Sequence, residues 1–260
     1  MPDEGVAIHL LPHREPVEAA DVAGLAVLLD EVELARRFHF DRDRHAFVLA
    51  HAFLRRILSR YEPVAPESWR FQRGPWGKPE IAGQTPRRLC FNLSHTRGCI
   101  VCAVTRGRDV GIDVERMDAI ADELSLAARC FSPPDVVMLE ALRGAVRTRR
   151  FYELWTLREA YVKARGQGLS MPLDRIAFTF EMDGDRGDEG SPRMAPIATG
   201  QLRPVGQTVR CAWVGAAPPA PDDETSDWRF ERFVPTTEHQ VALAVRGRDF
   251  ALRATVEKSV

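Results

Sequence analysis

The sequence predicts an α+β fold of two similar lobes related by a pseudo-twofold axis. Two observations carry it. Strand-like alternation and helix-like periodicity both recur along the 260 residues, a length that suits one large domain or two modest ones. In addition, Val101…Arg106-Gly107-Arg108-Asp109-Val110…Ile112 recurs as Val241…Arg246-Gly247-Arg248-Asp249-Phe250…Leu252, each time after a long helix and a strand. The plainer reading stands beside it: Arg-Gly-Arg-Asp is simply a good turn sequence.

Val6 to Leu11 reads as a strand. Phe47, His51, Leu54 and Leu58 are spaced as one helix face over Asp43 to Leu58, with Ala50, Phe53 and Ile57 widening the stripe and Asp41 or Asp43 as the cap. Trp69 to Arg73 alternates as a strand and runs into Gly74-Pro75-Trp76-Gly77-Lys78-Pro79, whose prolines and glycines predict a loop. Leu89–Asn92, Cys99–Thr105 and Val110–Glu115 read as strands, the last two joined as a hairpin through Arg106 to Asp109. Helices follow over Asp118–Arg129, Pro134–Arg143 and Phe151–Lys163, with Gly166 and Gly168 as the stop. Then come strands at Ile176–Phe180, Val209–Val214, Trp228–Phe233, Gln240–Val245 and Asp249–Thr255. The segments Met182–Arg193 and Gly215–Asp227, rich in Gly, Pro, Ala and charge, read as exposed loops. The lobes divide as 1–108 and 109–260.

With 36 basic against 37 acidic residues the net charge is −1, which gives no global electrostatic case for nucleic acid or an anionic membrane. No basic-then-apolar leader and no span-length apolar run is evident, so the cytoplasm is the expected location. Cys99 and Cys102 form a Cys-x-x-Cys pair, but three residues apart on a strand they point to opposite faces, so they read as core fillers and not chelators.

Chemistry is expected in three places. In Val110-Gly111-Ile112-Asp113-Val114-Glu115, alternation puts the valines and isoleucine on one face and both acids on the other. Two carboxylates side by side call for a cation, and magnesium takes oxygen ligands; a solvated strand edge is the alternative. On the helix, Glu159 and Lys163 lie one turn apart beside the apolar stripe. Arg158 falls in mid-stripe, where a guanidinium needs an anion, an exit to water or a cleft. Finally, Asn92-Leu93-Ser94-His95 ends a strand with donors able to hold phosphate, although read singly Ser94 and His95 are weak signals, a lone histidine being more often structural, and Lys78 is an exposed lysine.

Together, Asn92-Leu93-Ser94-His95, Gly111-Ile112-Asp113-Val114-Glu115 and Trp155-Thr156-Leu157-Arg158-Glu159-Ala160-Tyr161-Val162-Lys163-Ala164 followed by Gly166, Gly168 and Leu169 resemble the signatures of the 4'-phosphopantetheinyl transferases of the surfactin-synthetase-activating type. Gly77-Lys78-Pro79 and Arg36-Arg37-Phe38 resemble that family too, and the likeness covers roughly residues 30 to 180. The resemblance implies coenzyme A in the cleft between two α+β lobes. It implies magnesium, or manganese, on Asp113, Glu115 and Glu159. Lys163, His95 and Ser94 would contact the phosphates, Lys78 and Pro79 the nucleotide end, and Arg37 and Arg44 the 3'-phosphate. Glu159, Lys163 and His95 are the implied catalytic residues, with Glu159 as the leading base. The partners implied are coenzyme A and apo acyl or peptidyl carrier proteins, acted on by a monomer.

Departures are visible. Arg158 stands where the family often has lysine, Glu31-Val32-Glu33-Leu34 replaces a lysine-bearing segment, and Asp135 stands near where some relatives carry a glutamate. A non-catalytic coenzyme A or carrier-binding module is the rival reading. A nucleotide kinase lacks its Gly-x-x-x-x-Gly-Lys-Ser/Thr loop, and neither Gly-x-Ser-x-Gly nor His-Glu-x-x-His occurs for a hydrolase.

Overall fold

A computed structural model describes residues 5–25, 38–83, 88–182, 204–215 and 225–260. Among these the chain forms β1 (Val6–Pro12), α1 (Asp41–Leu58), β2 (Phe71–Arg73), β3 (Pro79–Ile81), β4 (Leu89–Thr96), β5 (Cys99–Arg106) and β6 (Val110–Arg116). The second half adds α2 (Glu123–Cys130), α3 (Pro133–Glu140), α4 (Gly144–Arg165), β7 (Ile176–Met182), β8 (Gln207–Trp213), β9 (Trp228–Thr236), β10 (His239–Arg246) and β11 (Leu252–Val256). The mixed α+β class is as the sequence predicts.

Two sheets form the centre, in the orders β11-β1-β5-β4 and β6-β10-β9-β8-β7, with β2 and β3 as a separate ribbon. Alternation on β5 sets the layering. Ile100, Cys102 and Val104 pack under Leu49, Phe53 and Ile57 of α1, while Cys99, Val101 and Ala103 face the second sheet with Val6, Ile8 and Leu10. There they meet Val110, Ile112 and Val114 of β6 and Val241, Leu243 and Val245 of β10. The far side of the second sheet is covered by Leu154, Leu157, Tyr161 and Ala164 of α4, packed on Ala242, Ala244, Phe178 and Phe230. The layers run helix, sheet, sheet, helix. Cys99 and Cys102 lie on opposite faces of β5, and both are free thiols.

The expected hairpin at Arg106–Asp109 is corrected. β5 stays in the first sheet and β6 crosses to the second; likewise β10 stays in the second and β11 crosses back to run parallel to β1, Val6 opposite Leu252. The two Arg-Gly-Arg-Asp turns are therefore crossovers, and they touch: Arg246 N donates to Asp109 O at 3.0 Å and Arg108 Nη2 to Asp249 O at 3.1 Å. Both turns place glycine in the left-handed region, Gly107 at φ 64° and Gly247 at φ 92°.

Smaller differences have local causes. Phe40, not Asp41 or Asp43, sits at the N-cap of α1 and makes no side-chain cap bond; both acids lie in the first turn, where they favour the helix dipole. α2 starts late, at Glu123, because Asp122 caps it by accepting from Ser125 N. α3 starts one residue early, with prolines in its first turn, and stops at Glu140. α4 extends back to Gly144, through a solvent-facing stretch with no apolar stripe to announce it, and ends at left-handed Gly166 as expected. Pro79, the last residue of the expected loop, instead opens the strand Pro79–Ile81 that pairs with Phe71–Arg73. Most of the two expected exposed loops (183–193 and 216–224) lies outside the described residues, as does 31–34; Thr225–Asp227 forms a 3-10 turn.

Candidate functional site

The two sheets meet edge to edge where β4 lies beside β6, and side chains bridge the join. Asn92 and Ser94, two apart on one face of β4, reach alternate amides of β6: Ile112 N donates to Asn92 Oδ1 at 2.8 Å and Val114 N to Ser94 Oγ at 3.4 Å. The spacing of that pair is the signal that could have revealed Asn92 as part of the site. On its other side β6 presses on α4. A Cβ on Gly111 would lie 2.0 Å from Ala160 O and 2.3 Å from Ala164 N, so glycine is required for this approach.

That approach brings the acids of β6 to the lysine of α4. Lys163 Nζ donates to Asp113 Oδ1 at 2.5 Å and to Ser94 Oγ at 3.0 Å, and Ser94 Oγ donates to Asp113 Oδ1 at 2.9 Å. Glu159 does not hold Lys163 as a surface i,i+4 pair; the lysine turns to Asp113 instead. Asp113 is buried, and its Oδ2 has no hydrogen-bond partner among the described residues.

The neighbouring carboxylates resist ionisation. Burial and then the Asp113 charge raise Glu115 to about 7, against the pull of Lys163 and a hydrogen bond from Trp155. Burial, and then Asp113, raise Glu159 as well. Among the described residues no three His, Cys, Asp or Glu side chains gather closely enough to hold an ion as they stand. The chemistry of the donors nonetheless fits a hard divalent cation: the Asp113 charge raises the pKa of both Glu115 and Glu159, and Asp113 itself has a buried oxygen with no hydrogen-bond partner among the described residues.

His95 follows Ser94 at the strand end. It is solvent-exposed on one side, yet desolvation by the surrounding walls, then Lys163 and His13, lower its pKa. A pocket of about 360 Å³ opens beside these groups, lined by Trp76, Lys78 and Pro79 from the ribbon loop and by Glu159, Val162 and Lys163 from α4. Trp76, which the sequence did not single out, is 63% exposed at this pocket. Lys78 turns its ammonium to backbone carbonyls, Val110 O at 3.1 Å and Ala164 O at 2.9 Å. Arg44 pairs with Asp41 at 2.9 Å at the start of α1, and Arg37 lies outside the described residues.

Arg158 neither reaches water nor faces the cleft. It is 1% exposed, ion-paired to Asp135, donates to Ile176 O at 2.7 Å and lies over the Phe131 ring at 4.2 Å. Asp135 also accepts from Ser132 Oγ at 2.7 Å. The two residues left over from the signature thus satisfy each other inside the second half, tying α3 to α4 and β7.

One lysine and three carboxylates thus gather beside an open pocket. A model of the 4'-phosphopantetheinyl transferase superfamily matches residues 109–201. The 4'-phosphopantetheinyl transferase Sfp of Bacillus subtilis is 32% identical over 195 residues, 74% of this chain and 84% of that protein. HetI, a 4'-phosphopantetheinyl transferase of Nostoc sp., is 34% identical over 166 residues, 63% of this chain and 70% of that protein. A Synechocystis relative bearing the same enzyme name is 34% identical over 62% of this chain and 66% of its own length. The chain belongs to the 4'-phosphopantetheinyl transferase superfamily, and the rival reading as a non-catalytic binding module is not favoured.

Proposed function

We propose that the protein transfers the 4'-phosphopantetheine arm of coenzyme A to a serine of an apo acyl or peptidyl carrier protein, releasing adenosine 3',5'-bisphosphate. The observation that most supports it is the junction of Lys163, Asp113 and Ser94 beside Glu115 and Glu159, opening on the pocket. The serine oxygen bonds to the β-phosphorus as the bond from that phosphorus to the bridging oxygen breaks, and the leaving bisphosphate takes the electron pair.

In this reading Asp113, Glu115 and Glu159 hold magnesium or manganese, whose charge, when bound, neutralises the diphosphate. Lys163 exchanges its carboxylate partner for phosphate oxygen and offsets charge on the leaving group, with Ser94 and His95 beside it. Glu159 is the leading base for the serine proton, directly or through an intervening water that lets it keep its ligand role. Lys78 and Pro79 form the wall for the nucleotide end, and Arg37 and Arg44 serve the 3'-phosphate.

The same reading takes 1–108 and 109–260 as lobes related by a pseudo-twofold axis. The paired crossover turns and a long helix on the outer face of each sheet support it. It makes the protein a cytoplasmic monomer without nucleic-acid or membrane partners. The net charge of −1 is in keeping with that, and no helix among the described residues is long and apolar enough to cross a membrane.

The test is incubation of the protein with coenzyme A, magnesium and a panel of apo acyl and peptidyl carriers, read by intact-protein mass spectrometry. Carriers that gain no mass overturn the proposal.

A further inference from the structure

We propose that Lys78 is a positioning residue whose ammonium straps the Gly74–Pro79 loop to the last turn of α4 and so fixes the pocket wall opposite Lys163. Its kinetic consequence rests on the coenzyme A reading above; the strap itself does not.

The strap is built from both sides. On the helix side, Ala164 is the residue after Lys163, and its carbonyl is among the last four of α4, which have no partner within the helix. Lys78 Nζ supplies one at 2.9 Å, and closes the first carbonyl of β6, Val110 O, at 3.1 Å. A cation at a helix C-terminus is also favoured by the dipole. Gly166 gives the stem room: at φ +67°, a Cβ there would stand 3.1 Å from Lys78 Cδ, so any side chain would crowd the lysine stem where it crosses the helix end.

On the loop side the lysine grows from a tight turn. Gly74 N donates to Lys78 O and Gly77 N to Gly74 O, both at 2.9 Å, and Gly77 is left-handed at φ +87°. A compact turn is thereby joined to a helix end. The turn carries Trp76, Lys78 and Pro79 to one wall of the pocket, while α4 carries Glu159 and Lys163 to the other. Two of the three ammonium protons are committed to carbonyls, so the main effect of Lys78 on a substrate passes through the placement of that wall. Desolvation, which lowers the Lys78 pKa, agrees with an ammonium held inside the protein.

A phosphate ligand and a strap differ in what they discriminate. Kinetics are measured with coenzyme A and with 3'-dephospho-coenzyme A for wild type and Lys78→Met, and amide hydrogen exchange is followed at Gly74 and Gly77 in the protein alone. Losing a charge-assisted bond to the helix end should raise KM for both substrates by the same factor of about tenfold, with a smaller effect on kcat. It should speed exchange in the loop by roughly tenfold while β5 keeps its protection. A KM increase confined to coenzyme A overturns the proposal, because it makes Lys78 a 3'-phosphate ligand. Unchanged loop exchange in Lys78→Met also overturns it. If wild type turns over neither substrate, the transferase reading fails, and the exchange result still decides the strap.

Discussion

Lys163 of α4 holds Asp113 of β6 at 2.5 Å, so a cation and an anion neutralise each other across the helix–sheet junction. The pair is half-open, with the lysine partly exposed and the aspartate buried. The lysine can therefore swing to an incoming anion, whereas the acid stays where β6 fixes it.

Replacing Lys163 with Met should lower kcat/KM for arm transfer by about 10²–10³, the usual loss of one preorganised charge on a developing anion. Lys163→Arg should recover only part, because a planar fork does not match the point contact shared by Ser94 and Asp113. Steady-state kinetics check both. Full activity in Lys163→Met contradicts the assigned role.

Gly111 controls how near the acids come to α4. With Ala160 O and Ala164 N in the space of a Cβ, Gly111→Ala must push strand from helix, at about 1–3 kcal/mol or more, since backbone cannot step aside as a side chain can. Urea unfolding should show the loss, and transfer should fall further than stability because Asp113 and Glu115 retreat from Glu159 and Lys163. A variant as stable and active as wild type refutes the close-approach argument.

Arg158 and Asp135 should behave as core residues. Breaking the pair with Arg158→Met leaves a buried carboxylate and should cost about 3–5 kcal/mol in urea unfolding, whereas Arg158→Met combined with Asp135→Leu should restore much of it. Turnover of the folded fraction should stay near wild type. A large loss of kcat in a fully folded variant would place Arg158 in the chemistry after all.

Arg158 also marks what the sequence could and could not say. Its mid-stripe position on α4 was legible, but its partner Asp135 lies 23 residues back and only tertiary packing brings them together. The carboxylates were legible for a local reason: period-two alternation on β6 separates Asp113 and Glu115 from the valines. The destination of β6 was hidden, because a four-residue turn is equally compatible with a hairpin and with a crossover between sheets. The repeat of Arg-Gly-Arg-Asp was visible as text, whereas the contact between Arg246 and Asp109 that gives it meaning joins the two halves of the chain. Lys78 illustrates the same limit: its loop was evident, and the carbonyls it serves were not.

His51 sets an acid limit on stability. Desolvation, followed by the charges of His95 and Arg55, lowers its pKa from 6.5 to about 4, and the ring stacks on Phe47 at 3.9 Å. Above the ordinary value both folded and unfolded states leave it neutral. As pH falls from 6.5 toward 4, the unfolded chain takes up a proton that the folded one refuses, so stability declines over that window. Urea midpoints measured from pH 7 to 4 should fall more steeply for wild type than for His51→Gln. Parallel curves would contradict the lowered pKa.

The most direct test of the central claim is the mass of an apo carrier protein after incubation with coenzyme A and magnesium, using wild type and Glu159→Gln side by side. The account predicts that wild type adds one phosphopantetheine group to the carrier serine, while Glu159→Gln, folded to the same melting temperature, adds none within the same time. Equal modification by both proteins, or by neither, would contradict it.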